Sequence, residues 1–211
     1  MPTTASRRPG RPPAAKADDT RRRILQAARE VFSERGYEGT TFQAVAVRAD
    51  LTRPAINHYF SSKRVLYREV VEQTNELVVL AGMERAKRET TLMGRLTAFI
   101  SNAMQANSEN PASSAFMVTA VLESQRHPEL SRTENHTVPT SHDFLMWVVN
   151  DAIDRGEVAA DINSSALVET LLAVLCGVGF YAGYLRSSQK MEAVTEMLRR
   201  LLEGALWRPG R

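Results

Sequence analysis

Two helix starts follow one another closely in LTRPAINHYFSSKRVLYREVV, the stretch that begins at Leu51. Thr52 offers a hydroxyl for capping, and Pro54 then falls in the first turn, where a missing N–H breaks no intrahelical bond. Ile56 and Phe60, four residues apart, give this short helix its buried stripe. Arg53, Asn57, His58 and Tyr59 lie largely off the stripe and remain open to a partner. After Phe60, Ser61 or Ser62 caps a long helix with Leu66, Val70, Thr74 and Leu77 on one face, continuing to about residue 88. The region is thereby held to short helices joined by tight turns.

Upstream, Asp18, Asp19 and Thr20 supply N-cap chemistry, and Ile24, Ala28, Val31 and Phe32 follow at helical spacing up to Gly36. Gly36-Tyr37-Glu38-Gly39 punctuates the chain. Thr40 or Thr41 then caps a second short helix with Val45, Ala46 and Ala49 on one face. An amphipathic helix followed by two short ones with a tight turn between them is a helix-turn-helix in a three-helix unit. The amide, imidazole and guanidinium groups of its third helix suit base edges and phosphates in a major groove.

Charge points to the same partner. Residues 1 to 66 hold 13 Lys+Arg and 6 Asp+Glu, a net +7, whereas the rest of the chain is net −4. A basic head on an acidic body is the electrostatic footprint of a polyanion-binding protein. Residues 1–19, with Pro2, Pro9, Pro12 and Pro13, read as a flexible basic arm. Its Arg7-Arg8-Pro9-Gly10-Arg11-Pro12 resembles an AT-hook core, so Arg8 and Arg11 either read a narrow minor groove or contact phosphates alone.

From Thr20 to Val71 the sequence resembles the TetR family of bacterial transcriptional repressors. The pattern A-x-x-A-G-V-S-x-x-x-(L/I)-Y-x-x-F-x-x-K-x-x-L is matched at Ala46, Ala49, Leu51, Thr52, Ile56, Phe60, Lys63 and Leu66. Asp50 stands where the family usually has the turn glycine, a tolerable exchange because Asp enters the left-handed region more readily than most residues. Asn57 stands where the family has the tyrosine of the recognition helix, and a carboxamide there can pair with adenine. The resemblance implies an all-α homodimer with a DNA-binding domain over 20–66 and an effector-binding and dimerisation domain over 91–207. The expected DNA contacts are Thr40, Thr41, Thr52, Arg53, Pro54, Asn57, His58, Tyr59 and Lys63, with Arg8 and Arg11 from the arm. The expected partners are double-stranded DNA bearing an inverted repeat, a small-molecule effector and a second copy of the chain. A nucleoid-type DNA-binding protein without an effector is the competing reading, distinguished by whether binding is sequence-selective.

Beyond residue 90 the periodicity predicts helices near 91–107, 112–125, 141–155, 164–187 and 189–206, with breaks at Pro111, Pro128, Pro139 and Gly156. HPEL at His127 and RGEVAADIN at Arg155 look like the loops that family members place around their third-last helix. Met104, Phe116, Met117, Val121, Phe144, Trp147 and Tyr181 lie in the body of this domain. Side chains of this kind at helical spacing are usually plain core, and the resemblance implies that some border the effector pocket. Few Lys or Arg occur between Thr91 and Tyr184 to hold an anion, so a mainly apolar effector is expected.

ALVETLLAVLCGVGFYAGYL, from Ala166 to Leu185, is apolar enough to suggest a membrane span. Glu169 within the run and the amphipathic MEAVTEMLRRLLEGAL after it favour instead a helix buried all round. Ala173, Gly177 and Tyr181, with Val194, Leu198 and Leu201, would form a four-helix interface between two subunits. Catalysis is not expected. His127, His136 and His142 have poor metal or acid–base spacing, and no HExxH, phosphate-cradling loop or nucleophile elbow occurs. The single cysteine, Cys176, excludes an internal disulfide framework. No cofactor or metal is expected, and the N-terminus lacks the apolar run of a signal peptide, which suits a cytoplasmic protein.

Overall fold

The computed structural model describes residues 13–110, 112–128, 130, 137–185 and 187–204, and the elements among them are helical. They are α1 (Pro13–Gly39), α2 (Phe42–Arg48), α3 (Arg53–Tyr59) and α4 (Lys63–Asn75), which passes through a π-helical turn at Glu76–Leu80 into α5 (Ala81–Ala86). α6 (Leu92–Glu109), α7 (Ser113–Arg126), α8 (Thr137–Asp154), α9 (Ser164–Leu185) and α10 (Ser188–Leu202) complete the chain. Local chemistry starts several of them. Thr41, Thr52, Ser62, Thr91 and Ser187 each accept the backbone N–H three residues on, which satisfies one donor of the first turn.

α1 starts earlier than the sequence reading had it. Residues 13–19, assigned to a flexible arm, are already helical, because Pro13 has the fixed φ that suits a first helical position and Ala14 and Ala15 are strong helix formers. α8 also begins before its expected start at 141. Pro139 sits in its first turn, where the missing N–H costs nothing, so the expected break is a beginning. Arg8, Arg11 and His136 lie outside the described residues.

Three apolar cores follow. One joins Ile24, Val31, Phe32, Val45, Ile56, Phe60, Leu66 and Tyr67 of the first four helices to Phe116, Ala120 and Leu130. Its aromatic rings meet edge to face, Phe32 on Tyr67 at 5.0 Å and Tyr67 on Phe116 at 5.8 Å. α7, which lies beyond the stretch 66–91, thus packs into the same core as the first four helices. A second core joins α6, α8 and α9 through Leu96, Leu145, Val149, Val168 and Leu171. A third seats the π-helical turn and α5 on α6, where Asn102 Nδ2 donates to the carbonyls of Leu77 and Val78, both at 3.1 Å. The turn shifts its hydrogen bonds by one residue, and Asn102 supplies donors for oxygens at that irregularity.

α9 is not buried all round. Val168 and Leu171 are its buried residues, while Phe180, Tyr181 and Tyr184 are 60%, 41% and 73% exposed. It packs mainly on α7 and α8 and less extensively on α10 and α6, which leaves these aromatic side chains largely uncovered. Among the described residues α9 is the one helix long and apolar enough to cross a membrane.

Candidate nucleic-acid interface and the cavity behind it

The turn between α2 and α3 is made by Asp50, which adopts φ 51°. Its N–H donates to Val47 O at 3.2 Å, and that of Leu51 to Ala46 O at 2.9 Å. This pair of bonds is the Schellman closure, which requires a left-handed residue after the helix, so the expected exchange of Gly for Asp is accommodated. Arg23 of α1 secures the turn by donating from Nη2 to Ala49 O at 2.7 Å. Ile56 and Phe60 then anchor α3 in the core and fix its outward face.

That face carries Thr52, Arg53, Pro54, Asn57 and His58, all exposed. Tyr59 is half-buried, its ring edge to face with His58 at 5.3 Å. Thr41 is exposed and caps α2 through its Oγ. Two expected contacts are placed differently. Thr40 is buried, and its Oγ1 donates to Gly36 O at 2.8 Å, so the hydroxyl serves the end of α1. Lys63 donates from Nζ to Tyr37 O at 2.8 Å and stands 4.4 Å from the centre of the Tyr37 ring. A cation is favoured by the carbonyls at a helix C-terminus and by an aromatic face, which explains the preference.

Behind this unit lies a cavity of about 1040 Å³ walled by α6, α7, α8 and α9. Met104, Met117 and Val121 line it, and so does Gly177, a residue expected at the subunit interface. Phe116, Phe144, Trp147 and Tyr181 do not. Phe116 points from α7 into the N-terminal core. Phe144 stacks on Phe99 at 6.2 Å, Trp147 lies 4.5 Å from the Arg95 guanidinium, and Tyr181 stacks on Tyr184 at the surface. Neighbours on a helix are turned from one another, and here Phe116 faces the N-terminal core while Met117 faces the cavity.

The histidines are separated as well. His127 does not line the cavity and sits between Tyr37 and Glu123, with its Nε2 3.4 Å from Glu123 Oε2. His142 faces Asp143 and Glu169. Among the described residues no group of three His, Cys, Asp or Glu is disposed to hold a metal. Of the expected interface residues, Ala173, Gly177, Tyr181 and Leu201 are exposed and Val194 and Leu198 are half-buried.

Sequence reasoning missed Arg29, Glu30, Glu34 and Arg48. Arg29 is buried in α1, donating to Thr74 Oγ1 at 3.1 Å and Gln73 Oε1 at 2.5 Å, and burial pushes its guanidinium down from its ordinary range. Arg48, the last residue of α2, donates to Glu34 Oε2 at 2.7 Å and Glu30 Oε2 at 2.9 Å. Those bonds, first to Glu34 and then to Glu30, hold it above its ordinary value. Glu30 and Glu34 also line the cavity. Their four-residue spacing is visible in the sequence, but such a pair reads as a solvated helix face until the packing is known.

Residues 24–70 match the family model described as bacterial regulatory proteins, tetR family. The HTH-type transcriptional regulator UidR of Escherichia coli K12 is 26% identical over 163 residues, 77% of this chain and 81% of that protein. Among solved structures, Salmonella enterica GusR is 26% identical and superposes at a TM-score of 0.60, covering 88% of this chain and 94% of the other. FadR from Bacillus subtilis in complex with stearoyl-CoA, 19% identical, shares the fold at a TM-score of 0.67 over 86% of this chain and 96% of its own.

Proposed function

We propose, from the premise that the chain belongs to the TetR family of transcriptional regulators, that it is a cytoplasmic repressor acting as a homodimer on an inverted-repeat operator. Two copies of α3 enter successive major grooves, with half-sites about 34–36 Å apart or a multiple of that distance. Arg53, Asn57 and His58 face base edges, while Thr41 and Thr52 lie at helix starts where phosphates are favoured. The exposed apolar side chains of α9 and α10, Phe180, Tyr181, Tyr184, Met197, Leu201 and Leu202, support a subunit interface rather than a membrane span.

The observation that carries ligand control is the double duty of α7. One side gives Phe116 and Ala120 to the core of the DNA-binding unit, and the other gives Met117 and Val121 to the cavity. A small, mainly apolar molecule that repositions α7 therefore repositions the helix-turn-helix. For a tenfold loss of operator affinity the molecule must prefer the released form by about 1.4 kcal/mol, and DNA must weaken its binding by the same factor.

Selecting bound duplexes from a random pool tests the DNA half of this reading. Palindromic sites are expected. Asymmetric sites would overturn the two-fold arrangement, and recovery of no preferred sequence would favour a nucleoid-type protein without an effector.

A further inference from the structure

The cavity is mostly apolar, with uncharged polar groups such as Asn107, Ser114, Thr137 and Ser141 in its walls, and it carries charge where α1 borders it. Glu30 and Glu34 are the charged residues in its lining, and among the described residues no Lys, Arg or His lines it. Both carboxylates already answer a cation, because Arg48 Nη1 lies 2.9 Å from Glu30 Oε2 and 3.1 Å from Glu34 Oε1, with Nη2 2.7 Å from Glu34 Oε2. The arrangement is accessible: the side chains of Glu30, Glu34 and Arg48 are 25%, 39% and 34% exposed. The ion pairs therefore join the cavity to the first helix of the helix-turn-helix.

The two carboxylates outnumber the single Arg48 guanidinium that they bind, so this end of the cavity stays net negative, which penalises an entering anion and favours a cation. Apolar and thioether groups of Phe99, Met104, Met117 and Val121 meet the body of a ligand along the same space. We propose that the cavity takes an amphiphilic cation, an apolar body ending in an ammonium or amidinium group, and that this end binds Glu30 and Glu34 in competition with Arg48. This rests on the regulatory reading above and sharpens it, naming the class of effector and the first contact its arrival breaks. Once Arg48 loses its carboxylates, α2 is held to α1 by fewer bonds, and the angle at which the Asp50 turn presents α3 is no longer fixed from that side. A neutral apolar molecule fills the walls without touching Arg48.

The test uses the full-length protein and three probes with one chain length, decyltrimethylammonium, decanol and decanoate, each titrated by calorimetry below its micelle concentration. The ammonium is expected to bind at least tenfold more tightly than the carboxylate. The Glu30→Gln, Glu34→Gln double variant should lose that preference while keeping its affinity for decanol, which also reports an intact cavity. Arg48→Gln should tighten ammonium binding by removing the competitor. Equal binding of ammonium and carboxylate, an unchanged ammonium affinity in the double variant, or no binding of any probe overturns the proposal. Adding the probes to the protein on a selected duplex separates the two readings. Preferential ammonium binding that leaves DNA bound upholds the ligand class and sinks the regulatory reading. Release by decanol or decanoate alone upholds regulation and sinks the ligand class.

Discussion

Glu123 of α7 reaches the space beside Gly36 of α1, so that its Oε1 lies 2.7 Å from where a methyl group on Gly36 would stand. Gly36 has φ 69°, a left-handed conformation in the segment that ends α1. The cavity-lining helix and the DNA-binding unit thus meet at a residue with no side chain. Gly36→Ala should lower stability by about 1–3 kcal/mol through backbone strain, because φ 69° with ψ −178° is a conformation that essentially only glycine adopts. Urea unfolding checks this, and an unchanged midpoint would show that the segment relaxes freely.

Asn57 is exposed on α3, and its carboxamide suits the N6 and N7 edge of adenine. Asn57→Ala should alter preference at one base position per half-site, by about 1–3 kcal/mol in discrimination. Comparing selected sites of parent and variant measures this, and identical preferences would reduce the residue to a solvated position.

Lys63 spends its ammonium on the carbonyls that end α1. Lys63→Ala is therefore expected to cost about 1 kcal/mol of stability, the usual worth of a hydrogen bond or a cation at a helix end. Thermal unfolding without DNA is the relevant measurement. A variant as stable as its parent but weaker on every duplex would return Lys63 to phosphate binding.

Because α1 begins at Pro13, the arm is best tested by deleting residues 2–12, which removes Arg7, Arg8 and Arg11 without cutting the helix. Affinity should fall, and the slope of log affinity against log salt should become shallower by at most about 0.9 per lost phosphate contact. The major-groove preference should persist. An unchanged slope would mean that the arm does not touch DNA.

Asn102 is buried and donates to the carbonyls of Leu77 and Val78 in the π-helical turn. Asn102→Ala leaves those carbonyls without these donors and should cost about 1–3 kcal/mol in urea unfolding. Asn102→Asp, which offers acceptors to acceptors, should be no better. Full stability of either variant would show that the turn rebuilds itself as regular helix.

What the sequence determined was what depends on near neighbours along the chain. Thr52 caps α3 because its hydroxyl needs only the N–H of Ala55, and Asp50 turns the chain because its short side chain tolerates positive φ. Ile56 and Phe60 are buried, and Asn57 and His58 exposed, by helical spacing alone. The exposed face of α3 was legible for that reason. The tertiary structure decided the rest, because a side chain with two possible destinations takes the one that packing provides. Lys63 meets carbonyls 26 and 25 residues away in sequence, and Phe116 enters the N-terminal core while Met117 beside it lines the cavity. Glu30 and Glu34 became part of that cavity only because α7 lies across α1, a contact between distant segments that no local periodicity encodes.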